Sequence, residues 1–189
     1  MGSKLFGANR GNVRGHYENV EYLNENNRIL RRIGYRWSPP DSLSKLKAYR
    51  IPASRARKII ARQVRPVWGL KDPRTLLTYR SWKPYLNEAA NITYVFVHRP
   101  FEDCVRSLAR RDKIKLSTAR RILLPYLRSF KYYRRKLGAN SNKVIDVYFN
   151  KMLKNPRPVV QKFNRRLGKN SNANLQAVKK FLNPNLKHF

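Results

Sequence analysis

Apolar residues recur along this chain at helical spacing in some stretches and in short uncharged runs in others. Residues 1–16 are rich in Gly, Asn and Arg and read as loop. Val20, Leu23, Asn27 and Leu30 share one face of a helix predicted from Glu18 to Arg32, which Gly34 ends. Trp37-Ser-Pro-Pro40 reads as a turn, and a second helix is predicted over Ser54–Val64 after Pro52. Val67–Leu70 reads as a short buried strand closed by Lys71-Asp-Pro-Arg74, and Trp82–Ala90 as a short helix. Ile92–Val97 is β-branched and aromatic without charge, the composition of a buried parallel strand. Pro100 opens a helix whose Val105, Leu108 and Cys104 face the sheet. Leu116–Leu137 reads as a long basic helix kinked at Pro125, and Val144–Tyr148 as a third strand. Helices follow over Pro156–Leu167, ended by Gly168, and over Leu175–Leu182. This order predicts an α/β fold, a short parallel sheet flanked by helices. The 189 residues suit a single domain over 1–189, with a loop-rich N-terminal segment (1–16) and a C-terminal segment (169–189).

Charge changes the picture. Lys and Arg number 43 against 10 acidic residues, a formal net charge of +33, while the hydrophobic fraction of 41% still supports a packed core. Such a surface attracts polyanions, so the partners in view are an anionic nucleotide, nucleic acid, or a sulfated or acidic glycan. The sole cysteine, Cys104, excludes an intramolecular disulfide and a multi-cysteine zinc site. His16, His98 and His188 lack metal-ligand spacing, so no metal is expected. No apolar run approaches the roughly 20 residues that span a bilayer, and no secretory signal is evident; a cytoplasmic location is the expectation.

The chemistry concentrates where the Ile92–Val97 strand runs into His98-Arg99-Pro100 and a helix. Ser107 lies eight positions after Arg99, in the second turn of that helix. Ligands of open α/β sheets bind beyond the carboxyl ends of the strands. Arg offers a planar fork that matches phosphate oxygens, and a Ser hydroxyl adds a hydrogen bond. This strand–Arg–helix–Ser unit resembles the PAPS-dependent sulfotransferase family (PAPS, 3′-phosphoadenosine 5′-phosphosulfate). Trp68-Gly-Leu-Lys-Asp-Pro-Arg74, Asn12-Val-Arg-Gly-His-Tyr-Glu18, the Val144–Tyr148 strand with Leu153 and Asn155-Pro156, and Phe181–His188 resemble, in order, segments of its bacterial-type members.

The resemblance implies a three-layer, P-loop-NTPase-like sulfotransferase fold. It implies PAPS or its desulfated product as cofactor, with Arg99 and Ser107 on the 3′-phosphate and Lys71 and Arg74 facing the anionic site. It also implies transfer of a sulfuryl group to a hydroxyl or amine. Sulfuryl transfer asks for a base, and the candidates are Glu18 and His16. Glu18 reads equally as a carboxylate placed for a helix N-terminus. The family's N-terminal strand and glycine-bearing phosphate loop find no counterpart, which predicts an N-terminally truncated version of the fold. The alternative reading is a catalytically inactive sulfotransferase-like domain that binds RNA, DNA or another polyanion, as part of a large assembly. Lys113, Lys115, Arg120, Arg121, Arg128, Lys131, Arg134, Arg135 and Lys136 are then its polyanion-binding ridge; their other reading is a solvated face.

Overall fold

The computed structural model describes residues 4–9, 12, 15–34, 49–138 and 141–182; the turn expected at 37–40 and the last residues of the closing segment lie outside these. The chain forms two compact units, each built from two stretches: Met1–Ile92 with Ser117–Lys131, and Thr93–Leu116 with Tyr132–Phe189.

The first unit begins with β1 (Leu5–Phe6), paired antiparallel to β2 (Glu18–Asn19) so that Phe6 lies opposite Glu18. Helix α1 (Val20–Arg32) starts at once, because Asn19 is extended and its Oδ1 accepts a hydrogen bond from the Tyr22 N–H at 3.0 Å. Glu21 in the first turn and Arg31 and Arg32 in the last match the helix dipole. Gly34 closes the helix at φ 77°, a left-handed conformation that glycine adopts without strain. Helices α2 (Ala53–Ala61) and α3 (Thr75–Ala89) complete the unit's core. Tyr22, Ile29, Leu30 and Ile33 of α1 and its end pack with Ile51, Ala56, Ile60, Leu77, Trp82 and Leu86.

Two expectations change here. Val67–Leu70 is not a strand: Trp68 and Leu70 tuck against the core and Val67 is exposed, but the segment joins no ladder. It lies between Pro66 and Pro73 and contains Gly69, composition that favours an irregular extended segment over a strand. Helix α3 begins at Thr75, well before Trp82. Asp72 starts it by accepting the Arg74 N–H on Oδ1 at 2.9 Å and the Thr75 N–H on its carbonyl at 3.0 Å.

The second unit holds β3 (Tyr94–His98), α4 (Phe101–Asp112), both ends of α5 (Leu116–Lys136), β4 (Val144–Tyr148), α6 (Phe149–Lys154), α7 (Arg157–Arg166) and α8 (Leu175–Phe181). β3 and β4 pair in parallel, from Tyr94 opposite Val144 to His98 opposite Tyr148. The chain is thus α/β, with a short two-stranded parallel sheet flanked by helices. Val144, Ile145 and Val147 bury β4, while Val95 and Val97 of β3 are 44% and 52% exposed. The wholly buried strand expected at 92–97 is therefore half-buried, since β3 has a strand on one side only among the described residues. Val105 and Leu108 of α4 are buried as expected, and Cys104 is half-buried. No helix among the described residues is long and apolar enough to cross a membrane.

Candidate functional site

Four of the residues singled out in the sequence fall in the first unit, and the fold joins them through one polar network. Glu18 is nearly sealed from solvent on β2. Lys71 Nζ donates to Glu18 Oε1 at 3.2 Å and to the His16 carbonyl at 2.7 Å. Arg74 Nη1 donates to Glu18 Oε2 at 3.4 Å and to Asp72 Oδ1 at 2.9 Å. Burial works against the charge on Arg74, but Asp72 and Glu18 more than offset it and hold its pKa above the ordinary value. Two cations thus meet two carboxylates, and the cluster is close to neutral.

The network continues inward through residues that sequence reasoning missed. Asp72 Oδ2 accepts from Asn26 Nδ2 at 2.9 Å; Asn26 Oδ1 accepts from Trp82 Nε1 at 2.8 Å and Thr78 Oγ1 at 2.7 Å. Asn26 is wholly buried on α1, and its amide satisfies groups from α3 and from the turn before it. Lys71, Asp72 and Arg74 therefore tie strand β2 and helix α1 to the start of α3. Glu18 would have to compete with Lys71 and Arg74 for its lone pairs to act as a base. His16 packs its ring against Phe6 at 4.7 Å between centroids.

Arg99 and Ser107 lie in the second unit. β3 ends at His98, Arg99 follows, and Pro100 occupies the cap position of α4. The Arg99 guanidinium lies over the Phe149 ring at 5.2 Å, the first residue after β4, and Nη2 reaches the Asp103 carbonyl at 3.5 Å. It also acts on the next residue: burial pushes the Cys104 thiol pKa up, and the Arg99 charge pulls it partly back. Ser107 is one turn beyond Asp103 and Cys104, so it shares the flank of α4 over which Arg99 leans. Ser107 is half-buried.

Beside Arg99 stands a second arrangement absent from the sequence-based candidates. His98 Nε2 is 2.6 Å from Asp146 Oδ1, and the His98 ring stacks on Tyr148 at 4.7 Å. Arg134 grips the same carboxylate. The signal was an aspartate in the middle of the apolar run Val144-Ile-Asp-Val, since a charge within a strand needs a partner.

The basic residues divide. Lys113 and Lys115 lie at the turn between α4 and α5, and Arg120, Arg121, Arg128, Lys131 and Arg135 are exposed on α5. Arg134 is committed to Asp146 and to the Gly138 carbonyl at 2.8 Å. Among the described residues no cluster of three or more His, Cys, Asp or Glu is placed to hold a metal ion. Comparison with known proteins finds no matching family model, no matching curated protein and no matching solved structure.

Proposed function

We propose that this chain is a sulfotransferase-like protein that holds the 3′-phosphate of PAPS with Arg99 and Ser107. The observation that carries this reading is the posture of Arg99. It leaves the carboxyl end of a parallel strand, where α/β folds bind ligands, and leans over the flank of α4 that carries Ser107. Stacking on Phe149 limits the rotamers the guanidinium must give up when it takes a phosphate. An Arg fork and a hydroxyl together suit a terminal phosphate, with charge-assisted bonds from the Arg.

The transfer itself needs alignment and a proton acceptor. An acceptor hydroxyl oxygen attacks sulfur, the bond from sulfur to the 5′-phosphate oxygen breaks, and adenosine 3′,5′-bisphosphate leaves. The hydroxyl proton passes to a base. His98 joins Glu18 and His16 as a candidate base; it belongs to the same unit as Arg99 and Ser107, whereas Glu18 and His16 belong to the other. Asp146 orients the His98 imidazole through a contact at Nε2.

The test is calorimetric titration of adenosine 3′,5′-bisphosphate into the chain near physiological salt, beside Arg99→Ala and Ser107→Ala. Saturable binding that weakens about tenfold or more in Arg99→Ala, and less in Ser107→Ala, is the expected result. Binding indifferent to both changes overturns the assignment.

A further inference from the structure

The excess positive charge is not spread evenly. Among the described residues, Glu18, Glu21, Glu25, Asp72 and Glu88 of the first unit each face a Lys or Arg elsewhere than on α5. Helix α5 itself contains no Asp or Glu along its 21 residues. Its apolar side, with Ala119, Ile122 and Pro125, is buried, and Tyr126 packs against the core of the first unit. Arg121, Arg128 and Lys131 are exposed and make no ion pair among the described residues. At 3.6 residues per turn these three fall within a sector of about 80°, over about 15 Å of helix. Tyr132, the next residue of the same helix, is 46% exposed, with Tyr133 edge-on to it at 5.1 Å.

We infer that this face of α5 is a binding surface for single-stranded nucleic acid. Three unscreened cations in a row supply the sequence-independent attraction to a phosphate backbone. Arginine is the side chain whose fork fits phosphate oxygens two at a time. An exposed tyrosine directly after the cations supplies a ring on which a base can stack, and stacking accepts any base. Lys136 Nζ lies over the Tyr132 ring at 5.8 Å and adds a fourth cation beside it. A sulfated glycan would satisfy the cations but has no flat π face to stack on the exposed ring, so the aromatic residue favours nucleic acid.

The surface lies on a different element from Arg99 and Ser107, so it stands or falls independently of the cofactor reading. The experiment is fluorescence anisotropy of a labelled single-stranded RNA against the full chain across a salt series. Three proteins are compared with the wild type. One carries Arg121→Glu, Arg128→Glu and Lys131→Glu. The second carries Lys58→Glu, Lys83→Glu and Lys162→Glu, which change net charge equally at exposed positions off this face. The third carries Tyr132→Ala alone. The α5 reversal should weaken binding at least about tenfold more than the control reversal and lower the slope of log affinity against log salt by about 2. Tyr132→Ala should weaken binding by at least about fivefold while leaving the salt slope unchanged. Equal losses in the two charge reversals would mean attraction to net charge with no site, and would overturn the proposal. So would a heparin fragment that binds through the same three residues more tightly than RNA, indifferent to Tyr132. Circular dichroism of each variant separates lost binding from lost fold.

Discussion

Arg134 holds Asp146 through two parallel hydrogen bonds, Nε to Oδ1 at 2.8 Å and Nη2 to Oδ2 at 2.7 Å. The helix that carries Arg134 is thereby fastened to the middle of β4, and His98 adds a third contact from β3. The bond from Arg134 is the main reason the Asp146 carboxyl titrates at about 2 instead of 3.8; burial opposes it, and His98 assists. A carboxylate whose pKa falls on folding stabilises the fold above its unfolded pKa, and that contribution fades as pH drops through the folded value. Stability should therefore be undiminished by this group above about pH 4 and decline from there toward about pH 2. The side chain is only 21% exposed, so the full contribution is about 2 kcal/mol. Urea midpoints measured across this range should slope for the wild type and lose most of that acid-side slope in Asp146→Asn. An unchanged slope would show that the pair does not govern acid stability.

Asn26 is the hinge of the other polar network. Asn26→Ala leaves Trp82 Nε1, Thr78 Oγ1 and Asp72 Oδ2 each short of a buried partner. Unfolding free energy should fall by about 3 kcal/mol. The exposed neighbour Asn24→Ala should change it by less than about 0.5 kcal/mol. Chemical denaturation followed by tryptophan fluorescence measures both.

Cys104 reports on Arg99 without any ligand. Its thiol is held above the ordinary pKa by burial and lowered in part by the guanidinium. Removing that charge in Arg99→Ala raises the pKa further, leaves less thiolate at a given pH, and should slow alkylation by iodoacetamide. The pH–rate curve should move to higher pH. Faster alkylation in the variant would mean that Arg99 acts as a cover and not as a charge.

Lys113 ends α4 with φ 52°, a left-handed conformation that strains a residue bearing Cβ. Lys113→Gly should raise stability by about 0.5 kcal/mol, net of the greater flexibility of glycine when unfolded. Lys115→Gly, where φ is −62°, should bring no such gain. Thermal melts of the two variants distinguish them.

The sequence made the fold most legible where Gly and Pro punctuate it. Gly34, Pro100 and Gly168 mark helix boundaries, and the uncharged run Val144–Tyr148, broken only by Asp146, matches β4 end to end. It was least legible in α3. Thr78 and Ser81 point inward there, bonded to Asn26 Oδ1 and the Tyr49 carbonyl, so polar residues occupy buried positions and hide the helical period. The same cause hid Asn26, a polar residue amid a charged, exposed-looking stretch. Arg99 and Ser107 could be picked out because their spacing is local. The Glu18–Lys71–Arg74 cluster could not be foreseen as a cluster, since its members come from segments more than fifty positions apart, and only tertiary packing joins them.

Each compact unit takes its residues from two separated stretches, and the stretches alternate along the chain. The first unit is not finished until Lys131 has been made, by which point the opening residues of the second already exist. A stop codon anywhere between 93 and 116 therefore yields neither unit whole, and no single crossover in the gene can pass one of them on without part of the other. The two are inherited together: whatever each one does, selection acts on the pair.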